Sequence, residues 1–266
     1  MHYTRRTLAN PIVLEGLGLH TGEPVRLTVH PASEGIHFRF GAERTHAIPA
    51  NVSDTQRSTK LGSVGTIEHL MSAFAGLEIT DAEVEVSAPE IPGMDGSSMP
   101  FVRAMLDAGF VDLEERDRPN LFTRVFFVEG EIKVAVGKGE GHWKYRYDLG
   151  DRWPKAQEFD AMLPASYVTE VASARTFALA EEIPYIIQAG LAKGLDESSA
   201  LILGIDGYKN EARFPDEPAR HKLLDVIGDL YLAGIPLRYL NVAAERTGHR
   251  TNVKTAQQIV DSLASY

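Results

Sequence analysis

The chain has 266 residues, 44% hydrophobic and 24% charged, the proportions of an ordinary globular protein and not of a disordered, collagenous or coiled-coil one. Its 27 basic and 37 acidic residues leave a net charge of −10, which disfavours a broad nucleic-acid face and allows only a local basic pocket for an anion. With zero cysteines there is no disulfide, thiolate zinc site, iron–sulfur cluster or cysteine nucleophile, so any metal must be held by histidine and carboxylate.

The opening Met1–Leu8 has no apolar run of the secretory type, and nowhere do ~18 apolar residues run together, so a cytoplasmic chain without a membrane span is expected. Period-two alternation then predicts half-buried strands on Val25/Leu27/Val29, Ile36/Phe38/Phe40 and Ala82/Val84/Val86/Ala88. Between them a helix is predicted with Thr66 as N-cap, carrying Ile67, Leu70, Met71, Phe74 and Leu77 at spacings of three and four. A second helix starts at Ser98-Met-Pro100 and ends at Gly109. Leu113–Asn120 is charged, contains a proline and lacks periodicity. It divides the chain into domains at 1–115 and 122–266 joined by a linker at 116–121. Beyond it, alternation returns on Ile132/Val134/Val136 and on Trp143/Tyr145/Tyr147/Leu149. A helix near 180–190, opened by Arg175-Thr176-Phe177, precedes a buried strand at Ala200–Leu203 and a long helix from Pro218 to Gly234. Both halves thus run strands, helix, strand, helix, an α+β pattern compatible with duplication.

On the long helix His221, Asp225 and Asp229 recur every fourth residue and share one stripe, flanked by Leu223, Leu224, Ile227, Leu230 and Tyr231. A carboxylate stripe enclosed by apolar residues faces inward and needs a cation, and a metal is one such partner. His221 and Asp225, one turn apart, can reach a single ion. His69 would complete a two-histidine, one-carboxylate zinc site that leaves a position for water, and the adjacent Glu68 could take that water's proton. Thr247-Gly-His249, in a turn, offers a general acid, and Thr176 a hydroxyl for a developing oxyanion. The glycine runs Gly16-Leu-Gly18 and Gly93-Met-Asp-Gly96 have neither dinucleotide nor P-loop spacing.

Six motifs stand in order: Gly16-Leu-Gly-Leu-His20-Thr-Gly22, Thr66-Ile-Glu68-His69-Leu70, Pro89-Glu-Ile-Pro-Gly-Met-Asp95-Gly-Ser-Ser98, Ala174-Arg-Thr176-Phe177, Arg220-His221-Lys222-Leu-Leu-Asp225-Val-Ile-Gly-Asp229-Leu and Gly248-His249. Over nearly its whole length the chain resembles the UDP-3-O-acyl-N-acetylglucosamine deacetylases, zinc amidases of lipid A biosynthesis. The resemblance implies an α+β fold of two similar domains, each a β-sheet packed on a pair of helices, with the active site between them. It implies zinc, or iron(II), on His69, His221 and Asp225, with Glu68 as general base and His249 as general acid held by Asp229. Thr176 would stabilise the oxyanion, Lys222 would anchor the substrate and Phe177 would pack against it. The implied partner is a UDP-linked acylated amino sugar, with no nucleic acid and a monomeric state.

The chain departs from the family pattern in three places. The 52–65 segment is shorter than the usual cysteine-containing one, and Tyr147–Pro154 and Gly194–Ser199 differ in the second half. All three lie outside the metal core, so a divergent zinc amidase acting on another N-acetyl amino sugar, or a silent nucleotide-sugar-binding homologue, stands as the alternative. A diphosphate substrate also requires Arg220, Lys222 and Lys193 to focus positive potential against the net charge of −10.

Overall fold

The protein is described here by a computed structural model covering residues 2–117 and 124–264. The first half opens with β1 (His2–Leu8), β2 (Ile12–Leu17), β3 (Pro24–Pro31), β4 (Ile36–Phe40) and β5 (Glu43–His46). The short pair β6 (Val52–Asp54) and β7 (Lys60–Leu61) leads to α1 (Glu68–Gly76), β8 (Ala82–Val86), α2 (Met99–Ala108) and β9 (Phe110–Asp117). The second half has β10 (Val125–Glu129), β11 (Ile132–Lys138), β12 (His142–Tyr147), β13 (Gln157–Met162), a π-turn at Tyr167–Val171 and β14 (Phe177–Leu179). It closes with α3 (Ile183–Gln188), β15 (Leu201–Leu203), α4 (Glu217–Tyr231), β16 (Leu240–Glu245) and α5 (His249–Ala264).

The alternating segments form the strands expected of them because one face of each is buried: β3 buries Val25, Leu27 and Val29, β8 buries Ala82, Val84 and Val86, and β12 buries Trp143, Tyr145 and Tyr147. They assemble into two five-stranded sheets of the same design, ordered β2-β3-β8-β4-β5 and β10-β11-β16-β12-β13. In each, a late strand enters between two hairpins, antiparallel to one and parallel to the other. A parallel neighbour cannot be reached by a tight turn, so the chain crosses over through a helix, α1 in one half and α4 in the other. Each half is therefore an α+β unit with its own sheet and helix pair, and the repeat in topology is far plainer than any repeat in sequence.

The helices form the layer between the sheets: α1 packs on α4 and α2, and α4 on α5. Every residue of α1 is buried, the polar Glu68, His69 and Ser72 included. A helix enclosed on all sides must admit its neighbours closely, and Gly228 on α4 does so. A β-carbon there would lie 2.0 Å from the Glu68 carbonyl oxygen. The halves are further tied by Ser72 Oγ to the Tyr167 hydroxyl at 2.9 Å and by the Tyr231 hydroxyl donating to the Ile79 carbonyl at 2.9 Å.

Several local expectations change. Thr66 is not the N-cap of α1: its backbone is left-handed at φ 59°, its hydroxyl donates to Glu90 Oε1 at 2.9 Å, and Ile67 takes the cap position. A buried carboxylate has claimed the hydroxyl. Arg175-Thr176-Phe177 does not open a helix but leads into β14, and α3 begins only at Ile183. His249 is the first residue of α5, a helix the periodicity reading passed over, and not part of a turn. The charged stretch read as a connection is strand as far as Asp117, where β9 pairs antiparallel with β1. Most of that strand is exposed, so it carries no apolar alternation to read. The rest of the expected 116–121 linker, from residue 118, lies outside the described residues.

Gly228→Ala is predicted to cost about 1–3 kcal/mol of unfolding free energy, because the added methyl meets backbone and not a side chain that can turn away. Urea denaturation of the two proteins checks this, and an unchanged midpoint would show that α1 and α4 can separate without loss.

Candidate active site

Three helices present polar side chains to one point between the halves. The first turn of α1 supplies Glu68 and His69, successive turns of α4 supply His221, Asp225 and Asp229, and α5 begins with His249. Glu68, His69, His221, Asp225 and Asp229 are all 4% exposed or less, so the inward stripe expected on α4 is buried among these groups. The strand and turn before α5 are aimed by the Tyr145 hydroxyl, which accepts from Thr247 N at 3.0 Å.

His69, His221 and Asp225 each offer a ligand atom, and these atoms lie within 4.8 Å of one another. Asp225 Oδ1 is 3.4 Å from His221 Nε2 and 3.7 Å from His69 Nε2, yet it is buried without a hydrogen-bond partner among the described residues. Its other oxygen accepts from Lys222 Nζ at 2.9 Å. His221 Nδ1 lies 3.1 Å from the Ala174 carbonyl, which can only accept, so that nitrogen carries the proton and Nε2 presents its lone pair. Burial, and then the neighbouring His221, push the His69 pKa down to about 3; burial lowers that of His221 as well. Burial alone would raise the Asp225 carboxyl, but the Lys222 ammonium, with the charged His249 beyond it, outweighs burial and holds the group ionised. Two neutral imidazoles and one carboxylate with an unsatisfied oxygen are a donor set that fits a divalent ion of the zinc or iron(II) kind.

Beside this cluster stands a second array. Glu68 Oε2 accepts from Thr59 N at 2.9 Å, and Oε1 faces His249 Nε2 at 3.9 Å. His249 Nδ1 is 3.0 Å from Asp229 Oδ2, which also accepts from Asn252 Nδ2 at 2.9 Å, while Asp229 Oδ1 accepts from the Thr59 hydroxyl at 2.6 Å. Burial raises the Glu68 pKa to about 7 even against the pull of the His249 charge. Burial works the other way on His249, but Asp229 and then Glu68 overcome it and lift that pKa to about 9. An acid and a base are thus held side by side with both ionised in the range between.

A cavity of about 250 Å³ opens onto both arrays and is also lined by Thr176, Phe177 and Lys222. Thr176 N donates to the Gly96 carbonyl at 2.8 Å, fixing the start of β14 against the first half. Phe177 lies edge-on to His221 with ring centroids 6.0 Å apart. Leu19, Ile186, Leu191 and Leu195 give the cavity an apolar wall. A second cavity of about 520 Å³ shares Phe177, Ala178 and Lys222 with it and reaches to Tyr147 and Arg246.

All nine expected site residues therefore gather at one place, whereas two of the three cations expected to attract an anion do not line the first cavity. Arg220 is turned away, paired to Asp216 at 2.7 Å and stacked over Phe159 and Phe214. Lys193 is exposed outside it. Sequence reading missed Thr59 and Asn252, which orient Glu68 and Asp229. It also gave no role to Glu90, which accepts from the His20 and Thr21 amides at 2.8 and 2.9 Å and shapes the wall that carries His20. The spacing of Asn252 three residues after His249 was the available signal, legible only once α5 is known to be a helix.

Residues 5–261 match the LpxC family model, described as UDP-3-O-acyl N-acetylglycosamine deacetylase. Curated relatives under the name UDP-3-O-acyl-N-acetylglucosamine deacetylase include those of Cellvibrio japonicus, 38% identical over 97% of this chain and 90% of the relative, and Teredinibacter turnerae, 40% over 96% and 90%. That of Neisseria gonorrhoeae is 37% identical over 98% of this chain and 92% of its own length.

The orphaned oxygen and the two free lone pairs carry a prediction about metal content. Protein purified with zinc present is expected to hold one equivalent by elemental analysis, and His221→Ala to fall far below it while keeping the wild-type circular dichroism. Stoichiometric zinc in a folded His221→Ala protein would remove this cluster from consideration.

Proposed function

The chain belongs to the UDP-3-O-acyl-N-acetylglucosamine deacetylase family, and from that membership we propose that the paired arrays carry out hydrolysis of the 2-acetamide of this nucleotide sugar, the reaction of lipid A biosynthesis. The observation that carries the assignment of roles is the Glu68–His249–Asp229 array, its two carboxylates buried, beside a three-residue cluster with an unsatisfied carboxylate oxygen. A silent, binding-only homologue has no use for a base, an acid and a metal cluster in one cavity.

His69, His221 and Asp225 would hold the metal. A divalent ion bound there supplies a Lewis acid that polarises the acetamide carbonyl and makes water acidic enough to attack near neutral pH. Glu68, ionised and fixed by the Thr59 amide, takes a proton from the attacking water. The carbonyl carbon becomes tetrahedral, and the Thr176 hydroxyl donates to the oxygen that gains charge. His249, protonated and held by Asp229, gives its proton to the sugar nitrogen as the C–N bond breaks, leaving acetate and a free amine. The Asp229 carboxylate keeps the imidazolium charged until the nitrogen needs the proton and is itself saturated by Thr59 and Asn252, so it orients without competing as a base. Lys222 neutralises Asp225 from the side away from the histidines and, with Phe177, borders the passage into the second cavity. The apolar wall suits the acyl chain. The domain spanning 1–115 supplies the base and the one spanning 122–266 the acid. A nucleotide-linked sugar substrate suits a cytoplasmic enzyme. No helix among the described residues is long and apolar enough to cross a membrane.

Acetate release from the UDP substrate is the direct test. Glu68→Ala and His249→Ala are each expected to lower kcat by about 10²–10⁴ while zinc stays bound, and full activity in either would refute its role. The active form has Glu68 unprotonated and His249 protonated. kcat/KM should therefore rise with pH through about 7, or lower when the bound cation assists ionisation, and fall again through about 9. Asp229→Asn removes the charge that lifts His249, so the alkaline limb should move to lower pH. A limb that stays in place would detach Asp229 from His249.

A further inference from the structure

The substrate carries its acetamide and its diphosphate on adjacent carbons of one sugar ring. An anion must therefore sit close to the reacting carbonyl, in a protein whose net charge is −10. Two lysine or arginine side chains line the cavity that holds the metal cluster, Lys222 and Arg57. Lys222 is engaged with Asp225 at 2.9 Å, so its charge serves a carboxylate already present. In the neighbouring cavity Arg246 is likewise engaged, with Glu131 and with Asp148 at 3.2 Å. Arg220 and Lys193 are elsewhere, as described above.

Arg57 differs from all of these. It lies in the connection from β6 to β7, is exposed, borders the cavity alongside His20, Glu68 and His249, and among the described residues has no hydrogen-bond or ion-pair partner. Its position is nonetheless held from both sides. Asp54 Oδ1 accepts from the Thr55 and Gln56 amides at 2.7 and 3.1 Å just before it, and Thr59 just after it is bonded to both Glu68 and Asp229. Arg57 itself sits in the left-handed region at φ 67°, a conformation a non-glycine residue keeps only when its surroundings impose it. The same short segment that orients the base thus presents an uncommitted guanidinium at the cavity mouth. A guanidinium pairs with phosphate oxygens through two parallel hydrogen bonds.

We propose that Arg57 is a specificity-determining residue of the deacetylase, its guanidinium donating to a phosphate of the substrate's diphosphate and thereby selecting the anionic nucleotide sugar over a neutral glycoside. This rests on the deacetylase reading. The 52–65 segment is then where this chain supplies the positive charge that its composition lacks.

The test compares wild type, Arg57→Gln and Arg57→Lys in acetate release from the UDP substrate and from the same acylated N-acetylglucosamine carried as a neutral methyl glycoside, each from low to high salt, with UDP affinity measured by calorimetry. Arg57→Gln is expected to raise KM for the UDP substrate by about tenfold to a hundredfold with kcat little changed, and to weaken UDP binding by a similar factor. It should also flatten the salt dependence and leave the neutral glycoside unaffected. Arg57→Lys should recover much of the affinity, since it keeps the charge and loses the fork. Unchanged KM and UDP affinity in Arg57→Gln would overturn the proposal, as would an equal loss on the neutral glycoside, which would mean that Arg57 acts by holding the segment in shape. A zinc-loaded wild type that releases no acetate from either substrate would count against the deacetylase reading instead. UDP calorimetry would then still decide whether Arg57 holds a phosphate.

Discussion

The approach of α1 to α4 at Gly228 is the contact on which the rest depends. Because no side chain stands there, the Glu68 carbonyl rests against the α4 backbone. The first turn of α1 is thereby brought level with the His221–Asp225–Asp229 stripe. Neither helix holds a site by itself: α1 carries a histidine and a glutamate, α4 a histidine and two aspartates, and α5 adds His249. Topology supports the pairing, since α1 and α4 are the equivalent crossovers of two sheets built on the same plan. The site consequently lies on the axis between the halves, where the two equivalent helices meet.

Burying so many charges is tolerable only because each is answered by a specific partner. Asp229 is saturated by Thr59, Asn252 and His249; Asp225 has Lys222 on one oxygen; Glu90 collects backbone amides and a threonine hydroxyl; and Glu217 binds Arg175 at 3.0 Å. Against that background the partnerless Asp225 Oδ1 is the exception, and it lies where the two imidazole lone pairs converge. The same economy explains the opposed shifts in the acid–base pair. Desolvation raises the isolated carboxylate of Glu68, whereas His249, between two carboxylates, gains more from them than burial takes away.

Much of this was legible in the residue order. Strands with one buried face, such as β3, β4, β8, β11 and β12, announced themselves by alternation, and α4 by its Pro and Gly boundaries and its apolar flanks. The stripe of His221, Asp225 and Asp229 pointed inward for the reason given, that apolar residues enclose it. What escaped the pattern had a common cause. β9 is exposed on most of its length and so has no alternation, and Thr66 spends its hydroxyl on Glu90 and not on a helix cap. Each of these is decided by a partner distant in the chain.

By itself, the sequence determined which chemical groups exist and which of them share an element: a helical stripe of one histidine and two aspartates, a Glu-His pair at a helix start, and no thiol to offer a metal. Spacing along one helix is a local property, and periodicity reports it faithfully. The tertiary structure alone decided which groups from different elements meet: Glu68 with His249, Thr59 with Asp229, Arg57 with the cavity, and Arg220 away from it. Those distances are set by how two separately coded halves pack, at a glycine where a methyl group would not fit. Charge in a buried cavity depends on those distances far more than on composition.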